Sequence, residues 1–63
     1  MTQKELLYVE DAIGHEKNII SILNESMNFV TDDNICTFLS KQINKHKKME
    51  NKLIQLLEEK SNE

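Results

Sequence analysis

Two long segments of this chain carry apolar side chains at the spacing of an α-helix, and a short polar stretch separates them. Residues that recur every three or four positions lie on one face of a helix, so this pattern predicts two amphipathic helices. In heptad terms the apolar residues occupy positions a and d. They are Leu6, Val9, Ile13, Ile20, Leu23, Met27 and Val30 in the first segment, and Cys36, Leu39, Ile43, Leu53 and Leu57 in the second.

The ends of both helices carry recognisable signals. Thr2 and Glu5 have the spacing of a capping box, in which each side chain accepts a hydrogen bond from the other residue's backbone amide. Residues 31–34 read Thr-Asp-Asp-Asn, and such short polar side chains favour turns and helix caps. We therefore expect one domain, residues 1–63, with a first helix over about 3–30, a turn at 31–33 and a second helix over about 33–60. A connection this short predicts an all-α antiparallel hairpin.

The apolar stripes are wider than two helices can cover. Apolar residues also occupy positions c and g, namely Tyr8, Ala12, Ile19, Ile22, Phe29, Ile35, Met49 and Leu56. A chain of 63 residues also buries only about 60% of the surface that its unfolded form exposes, so it is marginally stable alone. The sequence therefore predicts that the hairpin forms a homodimer with the architecture of a four-helix bundle.

Three ionisable residues interrupt the stripes. Glu16 stands at a d position of the first helix, and His46 and Glu50 stand one turn apart on the second. Residues that face each other across the hairpin should have numbers that sum to roughly 63. This arithmetic predicts that Glu16 faces the gap between His46 and Glu50, so that all three lie in one layer.

This layer permits three interpretations. Glu16 and a protonated His46 could form a buried ion pair that fixes the register of the helices. Alternatively Glu16, His46 and Glu50 could bind a divalent metal, with His15 holding a ligand in place without touching the metal. In the third interpretation a splayed bundle leaves the three side chains in solvent. No catalytic residue and no organic cofactor is predicted.

Composition restricts the cellular setting and the partners. The chain has one cysteine, no apolar run long enough to span a membrane and a net charge of −3. These features favour a cytoplasmic protein that binds neither nucleic acid nor membranes. A cluster of lysines over residues 41–52 is expected to be a solvated face, and Cys36 a small core residue.

The sequence also resembles the CotF-type endospore coat proteins, which have a ferritin-like helical architecture. The likeness lies in LYVEDAIGHEK at 7–17, FL at 38–39, QINKH at 42–46 and LIQLL at 53–57. The resemblance implies a structural, non-enzymatic role in a spore-forming bacterium. It also implies other coat proteins as partners and deposition on the spore coat. Because members of this family are often longer, the present chain looks like a half-unit that dimerisation completes.

Two departures from known families weigh against catalysis. The di-iron branch of ferritin-like proteins requires Glu-x-x-His on one helix, and the residue three positions before His46 is Ile43. Residues 40–44 are similar to the Ser-Gln-Glu-Leu-Asp signature of small phosphatase regulators, but amides replace both acids. Binding of another protein through the outer face of the bundle stays open as an alternative.

Overall fold

The chain folds into two α-helices that pack against each other. In this computed structural model, which describes residues 1–61, α1 spans Gln3–Met27 and α2 spans Asp33–Ser61. Residues 28–32 connect them, and the hairpin is a rod of 47 × 14 × 11 Å. The predicted all-α helical hairpin is confirmed. Within residues 1–61, neither helix has an apolar stretch of the length and composition that crossing a membrane requires.

Side chains satisfy the free amides at the start of each helix. The Thr2 amide donates to Oε1 of Glu5 at 2.7 Å, and the Glu5 amide donates to Oγ1 of Thr2 at 3.1 Å. The hydrogen bond from the Thr2 amide is the main reason that the pKa of the Glu5 carboxyl lies below its usual value of 4.5. Hydrogen bonding from the Thr2 side chain lowers this pKa further. At the second helix, Oδ1 of Asp32 accepts from the amides of Asn34 and Ile35 at 2.9 and 3.0 Å. The capping box is therefore present, and Asp32 caps α2.

α1 ends at Met27, about three residues before the end that the apolar stripe predicts. The amides of Asn28 and Phe29 donate to carbonyl oxygens three residues earlier, at 3.1 and 3.0 Å. Such bonds tighten the last turn and satisfy carbonyls that have no partner at a helix end. The apolar pattern does not predict that α1 ends at Met27, because Val30 keeps its d position and remains half-buried outside the helix.

The seam between the helices follows the predicted heptads. Every a and d residue from Leu6 to Leu57 is buried or half-buried. Among the hydrophobic residues of the described chain, only Ile13 and Ile43 are buried, at 9% and 7% exposure. Both lie near the middle of the rod. The hairpin therefore has a thin core, and most of its apolar seam is still partly open to water.

Candidate functional site

The middle of the rod holds a polar pair inside the apolar seam. Nδ1 of His46 and Oε2 of Glu16 are 2.5 Å apart. The Glu16 side chain is 11% exposed and that of His46 21%. Both residues occupy d positions, and their numbers add to nearly the sum expected from the turn. The contact predicted from the heptads is thus present between the two helices.

The geometry of the pair sets the roles of the imidazole nitrogens. An ionised carboxylate can only accept a hydrogen bond, so in that state Nδ1 of His46 is the donor. Nε2 is then left over as a donor or an acceptor, according to the charge on the ring. No buried side-chain nitrogen or oxygen in the described residues lacks a hydrogen-bond partner. The seam therefore accommodates Glu16 without leaving its carboxylate unpaired.

Neither of the other two residues of the predicted site forms a hydrogen bond with this pair in the described chain. Glu50 is half-buried one turn beyond His46, and within residues 1–61 its side chain makes no hydrogen bond or ion pair. His15 is exposed beside Glu16. No group of three or more His, Cys, Asp or Glu side chains in the described residues could hold a metal ion. A metal site that uses Glu16, His46 and Glu50 would therefore need ligands from more than one protomer.

Large hydrophobic side chains remain exposed outside the seam. Within the helices, those at positions c and g are Tyr8, Ile22, Ile35, Phe38, Met49 and Leu56. Phe29 follows α1 and is the most exposed, at 81%. Leu7, at position b, is the remaining one among the described residues.

These c and g residues lie on the same side of the hairpin. Around a helix, g lies next to d and c lies next to g, whereas e and b lie beyond a. When two such helices pack antiparallel through a and d, the g edges of both flank one side of the seam and the e edges the other. Tyr8 and Leu56 accordingly line one groove of about 460 Å³, together with Val9, Met1, Glu5 and Lys60. We call the side formed by Tyr8, Ile22, Ile35, Phe38, Met49 and Leu56 the apolar face.

The opposite side of the hairpin is polar. Its e and b positions include Glu10, Lys17, Asn24, Ser40 and Lys47, all of which are exposed. Leu7 and Ile54 are the exceptions, since Leu7 lies at a b position and is 55% exposed, and Ile54 lies at an e position and is half-buried. The two sides of one small rod therefore differ sharply in polarity, and the apolar face is the strongest candidate for a functional surface.

The lysine cluster is exposed on the outside of α2. Lys41, Lys45, Lys48 and Lys52 are all open to solvent, as the sequence predicts. They line a shallow groove together with Asn44 and Met49. Lys41 and Lys48 hold f positions on the outside of α2, whereas Lys45 and Lys52 hold c positions and border the apolar face.

Comparisons of the chain with known protein families, with curated proteins and with solved structures find no match.

Proposed function

We propose that this chain is a structural protein that works by self-association. Two hairpins bury their apolar faces against each other and form a four-helix bundle. The observation that carries the proposal is the one-sided distribution of exposed hydrophobic residues. Six of them share the apolar face, whereas the polar side has Leu7 alone among the described residues. Large apolar patches on one side of a soluble protein mark interaction surfaces.

The exposed surface area of the hairpin is consistent with a second hairpin as its partner. A folded monomeric protein of this mass exposes about 4,200 Å². The chain, at 7.4 kDa, exposes 4996 Å². The excess of about 800 Å² equals the area that one partner buries in a protein interface of standard size. A second copy of the chain offers the same apolar face, so a twofold interface is complementary in polarity on both sides.

Sedimentation equilibrium of the purified protein tests this proposal. We expect a mass twice that of the 7.4 kDa chain at micromolar concentration. The dimer should dissociate and lose helical circular dichroism together on dilution, because the thin core of a lone hairpin gives little stability. A fully helical species with the mass of one chain at these concentrations would refute the proposal.

We also propose that the bundle is a component of a spore coat. The support is the resemblance to CotF-type coat proteins, carried by residues 7–17 and by segments of α2. In the organism that encodes the chain, an epitope-tagged copy should be extracted with the coat layers of its spores. Recovery of the tagged protein only from vegetative cytoplasm would count against a coat role and leave self-association intact.

Divalent-metal binding is a second candidate, and one observation favours it. Glu16 engages Nδ1 of His46, an arrangement in which a carboxylate orients an imidazole whose Nε2 binds metal. The other ligands would come from Glu50 or from the second protomer. Elemental analysis of protein purified without added metal provides the test. A metal content far below one ion per dimer, with no change in melting temperature on adding Zn²⁺, would exclude this function.

A further inference from the structure

The charged residues of this chain are distributed unevenly over its two helices. Residues 41–52 carry five lysines and a single acid, Glu50, which holds an a position in the seam. α1 carries five acids and two lysines, so most of the negative charge lies on the other helix. The net charge of −3, which disfavours an anionic partner, therefore does not describe the outside of α2.

Four of these lysines form one straight row on the outside of α2. Lys41, Lys45, Lys48 and Lys52 are separated by four, three and four residues, which is the spacing of neighbours on one helix face. At 1.5 Å per residue the row is about 16 Å long. All four lysines are exposed, and they line one groove of about 470 Å³. We call this set of four residues the lysine row.

The lysine row has no acidic residue to offset its charge. Every f and c position within residues 41–52 is a lysine. Within residues 1–61, none of the four side chains makes an ion pair or a hydrogen bond. Like charges one helical turn apart repel each other and destabilise the helix. An anionic surface that binds the row removes this repulsion, so charge complementarity favours an anionic partner.

The shape of the lysine row fits a flat surface better than a nucleic-acid duplex. A straight row of side chains on a rod can touch a plane along its whole length. A helix in the major groove of a duplex instead has a phosphate backbone on each flank. Only one flank of the f positions is cationic here, because the b positions on the other flank are Asn44 and Asn51. The chain also has no arginine, the residue that most often binds phosphates and guanine through two hydrogen bonds.

We propose that the lysine row holds the protein against a membrane surface rich in anionic lipids. The hairpin lies flat, with the ammonium groups of the row among the lipid headgroups. Clusters of four or more lysines on an amphipathic helix suit such a surface. The f positions lie opposite the seam, so the row stays on the outside whether or not a second hairpin covers the apolar face. The proposal therefore does not depend on self-association.

Co-sedimentation with lipid vesicles tests the proposal. The full chain is mixed at physiological salt with vesicles of phosphatidylcholine and phosphatidylserine in equal parts, and separately with vesicles of phosphatidylcholine alone. We expect binding to the mixed vesicles and none to the neutral ones. One lysine near an anionic membrane strengthens binding about fivefold, so Lys41→Gln with Lys48→Gln should bind the mixed vesicles about thirtyfold more weakly than the parent.

Lys17→Gln with Lys47→Gln is the matched control. It removes the same charge from two exposed e positions on the polar side of the hairpin. Because salt screens charges beyond about 8 Å, this variant should bind within about twofold of the parent. Circular dichroism should show the same helical content in all three proteins, since every substituted lysine is exposed.

Four results would overturn the proposal. The first is absence of binding to the mixed vesicles, and the second is equal binding to the neutral ones. The third is equal affinity of the two double variants for the mixed vesicles. The fourth is tighter binding of the parent to a duplex DNA fragment than to the mixed vesicles, lost only in Lys41→Gln with Lys48→Gln, which would assign the lysine row to nucleic acid.

Discussion

The two sides of this hairpin are built from the same two helices, yet they differ in what they require. On the polar side, the e and b residues can remain in water, and pairing of α1 with α2 completes the structure there. On the apolar face, Tyr8, Ile22 and Phe38 remain 57–64% exposed after the hairpin has formed. The comparison therefore assigns different roles to different positions of the same heptad pattern. Positions a and d form the seam of the hairpin, whereas positions c and g leave large hydrophobic side chains exposed, and we propose that a second hairpin covers them.

The largest expected effect on stability comes from the pair formed by Glu16 and His46, because both residues hold d positions in the seam. His46→Ala leaves the Glu16 carboxylate inside the seam without a partner, which should cost about 3–5 kcal/mol of unfolding free energy. The double variant Glu16→Leu with His46→Leu should be about as stable as the parent or more so, since apolar residues often replace buried ion pairs without loss. Urea denaturation at fixed protein concentration measures both effects.

Lys47→Ala is the matched control for His46→Ala. Lys47 is exposed at an e position on the polar side, next to His46 in sequence, so its loss should change stability by less than about 0.5 kcal/mol. If His46→Ala proved as stable as Lys47→Ala, the contact between Glu16 and His46 would not stabilise the seam. Should His46→Ala fail to fold, recovery of folding in the double variant still demonstrates the unpaired carboxylate.

Gly14 provides a smaller test on the polar side. A Cβ added at this position meets nothing within 4 Å, and the glycine has ordinary helical backbone angles. Gly14→Ala should therefore raise the free energy of unfolding by about 1 kcal/mol through helix propensity, measured by urea denaturation. Ser21→Ala, one heptad later at the same position, should give about half of that gain. A loss of stability in Gly14→Ala would show that another chain also packs against the polar side.

The smallest effect concerns the cap of α1. The pKa of Glu5 lies below its usual value of 4.5, so the capping box stabilises the helix above that pH and loses this contribution as pH falls through the lower folded value. We expect the parent to melt at a higher temperature than Glu5→Gln at pH 7 and at nearly the same temperature at pH 3. Glu10→Gln is the control, since Glu10 is exposed outside the box. An equal difference at both pH values would contradict the pKa direction.

Much of the hairpin could be predicted because its signals are local. Thr2 and Glu5 predict the start of the first helix, and the polar residues 31–34 predict the turn. The contact between Glu16 and His46 follows from counting residues on either side of that turn. The end of α1 could not be found in this way, because backbone hydrogen bonds at Asn28 and Phe29 close the helix while the apolar pattern continues to Val30.

The apolar face was harder to derive from the sequence than the seam. The sequence shows that c and g positions are apolar, and the one-sidedness follows only when the antiparallel packing of the helices is added. The prediction instead grouped Glu50 with Glu16 and His46. Glu50 occupies an a position level with Ile13, on the far side of the seam from the d residues, and in the described chain it makes no hydrogen bond to either one. Ligands or contacts from a second chain cannot be read from one copy of the sequence.

A pair of matched substitutions tests the division between the two sides most directly. Ile22 on the apolar face and Leu7 on the polar side are 57% and 55% exposed in the hairpin, so lysine at either site leaves no cavity. Sedimentation equilibrium should give Leu7→Lys the mass of two chains. Ile22→Lys should have a mass near the 7.4 kDa of one chain. Equal masses for the two variants, whether both dimeric or both monomeric, would contradict an interface confined to the apolar face.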